Sequence, residues 1–129
     1  MATYKSIITA TEGMKKITGL NLKIRQAIAL TKLINRMSEE AAVYFSLREQ
    51  ILQKYGNYEE EKSSYYIPEE NRKTVNSLLK ELDEETIQLD KVKLNVSEDT
   101  EIDALTVMTT EDFVEFIFEE DEENGSDRQ

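Results

Sequence analysis

The sequence predicts an α+β fold that is mostly α. Its parts are a long helix, a second helix returning antiparallel along it, a small β element, a short C-terminal helix and a disordered acidic tail. Three observations predict this. Leu22 to Tyr55 holds no Gly or Pro. Its apolar residues (Ile24, Ala27/Ile28, Ile34, Met37, Ala41, Tyr44/Phe45, Ile51/Leu52, Tyr55) recur in steps of three and four, which puts them on one helical face. Such a helix runs roughly 50 Å, and later segments must cover its stripe, because a lone amphipathic helix is marginal in water. Second, Ile67-Pro68-Glu69-Glu70 opens another helix, with Pro at its first position and acids in its first turn. Third, from Thr86 the apolar period changes to two, the mark of a strand.

Taken in order, Tyr4 to Thr9 (YKSIIT) reads as a short strand. Thr11 to Thr18 reads as a short helix capped by Thr11, with Met14 and Ile17 as its apolar pair and Gly19 as a left-handed stop. Asn21 is the expected cap of the long helix, and Ser38-Glu39-Glu40 is a candidate restart that would split it. Lys54 suits the negative end of its dipole, and Gly56 is expected at positive φ just beyond. Asn57 to Tyr66 is a polar loop with room for a hairpin. The second helix should run to about Glu85, with Val75, Leu78, Leu79 and Leu82 as its stripe.

Ile87, Leu89, Val92, Leu94 and Val96 then alternate, with a phase slip at Asp90-Lys91 that calls for a bulge or tight turn. Tyr4 to Thr9 is the expected pairing partner. Ser97 to Glu101 reads as loop. Thr109 or Thr110 is expected to cap the last helix, whose apolar side is Phe113, Phe116 and Ile117. Glu119 to Gln129 has no apolar residue and is expected to be disordered. Residues 1–118 are thus expected to form one α-rich domain, followed by an acidic tail.

Composition bounds the chemistry. The chain of 129 residues is long enough to bury a core alone. It has no Cys and no His, which excludes disulfides, thiolate and imidazole metal sites, Cys or His nucleophiles and a Ser–His pair. The four Gly are scattered, so there is no phosphate-binding loop. Glu60-Glu61-Lys62 is a faint echo of the acid-x-Lys pair of some nucleases, without the upstream strand and Asp that such sites need. The calcium-loop spacing fails around Asp121 to Gly125. These absences give the expectation of a non-enzyme without cofactor or metal. No apolar run approaches the roughly 20 residues of a membrane helix, and Met1 to Ile8 lacks a signal-peptide core. A soluble intracellular protein is therefore expected.

The net charge of −11 is unevenly spread. Residues 1–37 carry seven bases and one acid, residues 38–97 eight bases and thirteen acids, and residues 98–129 one base and thirteen acids. The acidity weighs against nucleic-acid binding, because phosphates are repelled. Lys15, Lys16, Lys23, Arg25, Lys32 and Arg36 are read as the wet face of amphipathic helices.

The run Leu52-Gln53-Lys54-Tyr55-Gly56 ends the long helix, Glu85-Thr86-Ile87-Gln88-Leu89 opens the strand, and Thr110-Glu111-Asp112 precedes the last helix. In this order of features the chain resembles small proteins encoded by tailed phages and prophages of Gram-positive bacteria, many known only as domains of unknown function. The resemblance covers roughly residues 4–118, and the tail from Glu119 to Asp127 departs from it. It implies a phage accessory, host-takeover or virion-assembly protein in the cytoplasm of the bacterial host, with no catalytic residues to carry over.

Two groups of side chains are candidates for protein binding. One is the tyrosine group Tyr55, Tyr58, Tyr65 and Tyr66 at the tip of the helical hairpin, since Tyr joins apolar area to a polar end. The plainer reading is that these rings cap the open end of the hairpin core. The other is acidic: Glu98, Asp99, Glu101 and Asp103 with Glu119, Glu120 and Asp121, which can enter a basic groove on a host defence or nucleic-acid-handling enzyme. The plainer reading of the tail is a solubilising segment. The alternative function is a structural or assembly factor for the virion or tail that forms a homo-oligomer through the long helix. Either way the expected partner is a protein, a host enzyme or a phage structural protein.

Overall fold

A computed structural model describes residues 2–119. The expected mostly-α architecture with minor β structure is what it has. In chain order the elements are β1 (Ala2–Thr3), α1 (Tyr4–Thr18), α2 (Ile24–Tyr55), β2 (Asn57–Glu59), β3 (Ser64–Tyr66), α3 (Glu69–Glu84), β4 (Thr86–Ile87), β5 (Val92–Ser97), α4 (Ala104–Thr110) and β6 (Val114–Glu119).

The N-terminus differs from the expectation. Tyr4 to Thr9 is the first half of α1, not a strand. A reciprocal cap starts this helix: the Ser6 N–H donates to Thr3 Oγ1 at 3.1 Å, and the Thr3 N–H donates to Ser6 Oγ at 2.8 Å. With that start, Ile7, Ala10, Met14 and Ile17 fall on one buried face. Thr11 is therefore mid-helix, and its hydroxyl donates back to the Ile7 carbonyl at 3.4 Å. Gly19 ends α1 in the right-handed region, at φ −82°. Asn21 caps nothing: Lys23 holds the cap position of α2, without a side-chain bond.

Helix α2 is continuous through Ser38-Glu39-Glu40, so no restart splits it. Glu40 is bound on both sides, accepting from Tyr4 Oη at 3.1 Å and lying 3.8 Å from Arg36. Gly56 follows α2 in extended backbone at φ −134°, not in the left-handed region. Proximity demands glycine here, because a Cβ would sit 2.9 Å from the Tyr66 carbonyl and 2.5 Å from Ile67 Cδ1. The loop Asn57 to Tyr66 is a hairpin of β2 and β3, antiparallel with Tyr58 opposite Tyr65. A single 3-10 turn, Glu60–Lys62, joins the strands and ends at Ser63 with φ 50°.

Pro68 stands one residue ahead of α3, at its cap. The helix returns antiparallel along α2, since Asn71 Nδ2 donates to the Tyr55 carbonyl at 2.9 Å and Tyr44 Oη donates to Asp83 at 2.6 Å. The expected single strand from Thr86 is two strands in two sheets. Thr86–Ile87 pairs antiparallel with Ala2–Thr3, one turn earlier than the partner expected from sequence. Val92–Ser97 pairs with β6 in parallel, from Val92 opposite Val114 to Ser97 opposite Glu119. The expected last helix is a strand. The sequence VEFIFE is rich in β-branched and aromatic residues, which favour strands, and lying beside β5 satisfies its backbone. The short helix lies earlier, at Ala104–Thr110. Thr109 and Thr110 end it, their hydroxyls donating to the Leu105 and Thr106 carbonyls at 2.9 and 2.7 Å.

The core joins Ile7, Ala10, Met14 and Ile17 of α1 to Leu30, Leu33 and Met37 of α2, with Leu94, Phe113 and Val114 from the β5–β6 layer. Helix α4 packs against α1 where Gly13 meets Thr110, and Thr106 and Thr110 are buried there. The acidic tail expected from Glu119 onward lies, apart from Glu119 itself, outside the described residues.

Candidate functional site

The tyrosines do not form one patch. The Tyr58 and Tyr65 rings meet edge to face at 5.2 Å across the hairpin, as cross-strand neighbours do. The Tyr65 hydroxyl donates to the Glu49 carboxylate on α2. That bond, followed by burial, raises the Tyr65 pKa. Tyr55 is half-buried at the end of α2, with Lys54 Nζ 5.3 Å from its ring centroid. Tyr58 (54% exposed) and Tyr66 (48% exposed) offer apolar area to solvent. Tyr65 and Tyr66 also line an open cleft of about 450 Å³ with Lys62 and Arg72. The group therefore splits into packed rings, Tyr55 and Tyr65, and exposed ones, Tyr58 and Tyr66.

The acidic residues are brought together in part. Glu98 and Asp99 form the turn after β5, where the Thr100 N–H donates to the Ser97 carbonyl at 3.0 Å. The β5–β6 register sets Glu119 opposite Ser97, at the same end of the sheet as Glu98 and Asp99. Glu101 is exposed nearby. Asp103 is already engaged. It caps α4, accepting from the Thr106 N–H at 2.7 Å, and accepts from Lys16 Nζ at 2.9 Å. The Lys16 ammonium, then the Thr106 N–H, hold its pKa down at about 2. Glu120 and Asp121 lie outside the described residues. The α2 helix of 32 residues separates its N-terminal end, joined to this acidic loop through Leu20 and Lys16, from its C-terminal end at the tyrosine hairpin.

A third surface departs from the expectation. Ile24, Ile28 and Phe45 belong to the expected apolar stripe of α2, yet they are 73%, 49% and 54% exposed. Leu30 and Leu33, absent from that stripe, are buried instead. At 100° per residue, Ile24, Ile28, Thr31, Asn35, Ser38 and Ala42 share the side of α2 turned away from Leu33. Glu39 and Lys32 lie on the same outward half, and Arg25 and Arg36 border it. The exposed side of the helix is therefore divided: Arg25, Lys32, Arg36 and Glu39 lie along one flank, and an uncharged strip with Ile24 and Phe45 lies along the other.

Beside this face a groove of about 700 Å³ runs between α1 and α2, lined chiefly by Ile8, Met14, Ile34, Ala41 and Phe45, with Lys15 at its edge. Helix α1 lies along α2 from Tyr4, whose ring is 5.8 Å from that of Tyr44, to Thr18, which shares the groove with Ile34.

Among the described residues no group of three or more His, Cys, Asp or Glu side chains is arranged to hold a metal ion. No described helix is long and apolar enough to cross a membrane. No family model, curated protein or solved structure matches the chain.

Proposed function

We propose that this chain is a non-enzymatic assembly factor that works by binding protein, and that it associates through its long helix. One observation carries the reading: a strip of the exposed side of α2 leaves Ile24, Ile28 and Phe45 in water and borders an apolar groove at Phe45. Contiguous exposed apolar surface of this kind is characteristic of interaction sites. The resemblance to small phage and prophage proteins supports a role in virion or tail assembly inside the bacterial cytoplasm. Light scattering and sedimentation of the full chain, from about 1 μM to about 1 mM, test it. The expected result is a defined oligomer, little affected by salt, that Phe45→Glu dissociates. A monomer across that range would overturn it.

A second reading rests on a different observation. Glu98, Asp99 and Glu119 gather at one end of the β5–β6 sheet, which supports acidic binding to the basic groove of a host enzyme. Such binding would weaken steeply with salt, and a complex insensitive to salt would exclude it.

A further inference from the structure

The β5–β6 pair leaves one row of backbone groups without a neighbour. The Val92 N–H donates to the Phe113 carbonyl at 2.9 Å, in a parallel register that sets Val92 opposite Val114. A residue in a parallel ladder bonds the residues on either side of the one it faces. Phe113, Glu115, Ile117 and Glu119 therefore turn their backbone groups toward β5. Val114, Phe116 and Phe118 turn theirs to the far edge of β6. Among the described residues no strand lies on that edge. An open row of this kind is a template for pairing with another chain, and two strands are a small sheet to stand alone.

The two faces of β6 differ. On the inner face Val114 and Phe116 join the core, and Phe118 beyond them is exposed. On the outer face Glu115, Ile117 and Glu119 are all exposed. Lys93 faces Glu115 from β5, one strand back from the edge. These charges choose the occupant. A second copy of β6, laid antiparallel, sets Glu115 or Glu119 opposite or diagonal to an acid in every register, and like charges across strands are destabilising. The chain's own Glu120 to Gln129 carries five acids and one base, so folding it back onto the edge meets the same repulsion. A strand that carries bases is attracted instead.

We infer that the free edge of β6 takes an extended segment of another protein, antiparallel, in which apolar residues alternate with lysine or arginine. The apolar residues lie beside Val114, Phe116 and Phe118, and the basic ones beside Glu115 and Glu119. Main-chain bonds supply the affinity and the alternation supplies the specificity. An antiparallel strand at the edge of a parallel sheet is a common arrangement, and antiparallel pairing is the more stable per residue. The inference goes beyond both readings above, since it uses neither α2 nor a groove on the partner.

The probe is a short fluorescent peptide of alternating valine and lysine, titrated with the full-length protein and followed by anisotropy. Facing residues of an antiparallel pair share a side of the sheet, so the valines turn their own N–H groups to β6 and the lysines turn theirs to solvent. The expected result is binding that backbone N-methylation at the valines abolishes and N-methylation at the lysines leaves intact. Glu115→Lys combined with Glu119→Lys should weaken it about tenfold, because attractive cross-strand pairs become repulsive. Phe118→Pro removes an edge N–H that β5 does not use, which an edge strand tolerates. It should abolish binding, whereas Phe118→Ala keeps the N–H and should only weaken it. Circular dichroism confirms that each variant is folded. Equal binding of both methylated peptides would show attraction by charge alone and overturn the inference. Loss on methylating only the lysines would show a parallel strand and overturn it too. So would a peptide that does not bind, or a dimer that Phe118→Pro dissociates, which would place a second copy on the edge.

Discussion

Replacing Gly13 by Ala tests how closely α1 and α4 approach. Gly13 is inside α1, where Ala is the better helix former by about 1 kcal/mol. Propensity alone therefore predicts a stabilised protein. A Cβ at this position would lie 2.7 Å from Thr110 Cγ2 and 2.9 Å from Thr109 Oγ1. Carbon atoms pack at about 3.5–4.0 Å, so the overlap is roughly 1 Å. Thr110 cannot easily swing aside, because it is fully buried and its hydroxyl is held at 2.7 Å from the Thr106 carbonyl. Relief must come from moving α4 off α1, and overpacking of this kind costs about 1–3 kcal/mol. The net expectation is a loss of about 1 kcal/mol. Gly19→Ala is the control: its φ of −82° suits any residue, and its nearest neighbour is the Lys16 carbonyl at 3.4 Å. It should stabilise by about 0.5 kcal/mol, through the unfolded chain. Urea unfolding followed by circular dichroism, with an unchanged m-value, reads both. If Gly13→Ala is as stable as Gly19→Ala, helix propensity outweighs the contact and the close approach of α1 and α4 is refuted.

Two further predictions concern ionisation. The Asp103 pKa is about 2 in the fold against 3.8 in the free group, so its carboxylate adds stability that is present above about pH 4 and lost as pH falls toward about 2. Asp103→Asn should flatten that part of the acid limb in thermal melts, and an unchanged acid limb would show that the Lys16 pairing contributes nothing. Tyr4 and Tyr44 have raised pKa values, first from burial and then from the carboxylates of Glu40 and Asp83. Their contribution is full below pH 10 and falls as pH rises through the folded values. Tyr44→Phe should cost about 1 kcal/mol at neutral pH by orphaning the Asp83 carboxylate and should soften the alkaline limb, both read from melting curves between neutral pH and about pH 11.

The tyrosines and the acids teach different lessons about reading a site. Tyr58 and Tyr66 are exposed as an interaction surface needs, but Tyr65 is held by Glu49, which is sixteen residues earlier in the chain. Asp103 looked like its acidic neighbours in sequence, and only its position before α4 and beside Lys16 removes it from them. Glu119 joined Glu98 and Asp99 through a parallel register that no local pattern announces.

By itself the sequence determined the long uninterrupted helix, its antiparallel return after Pro68, and the exclusion of thiol and imidazole chemistry. Each of these follows from residue type and spacing within a few turns. Tertiary structure alone decided which side of α2 is buried, because Leu30 and Leu33 join the core of α1 and β5–β6 residues while Ile24, Ile28 and Phe45 face water. It also decided that Val114–Glu119 is a strand, since strand bonding is a property of two segments and the partner lies more than twenty residues away. A helix satisfies its backbone from within and is legible locally; a pairing or a burial needs the other half of the contact, which only the folded chain supplies.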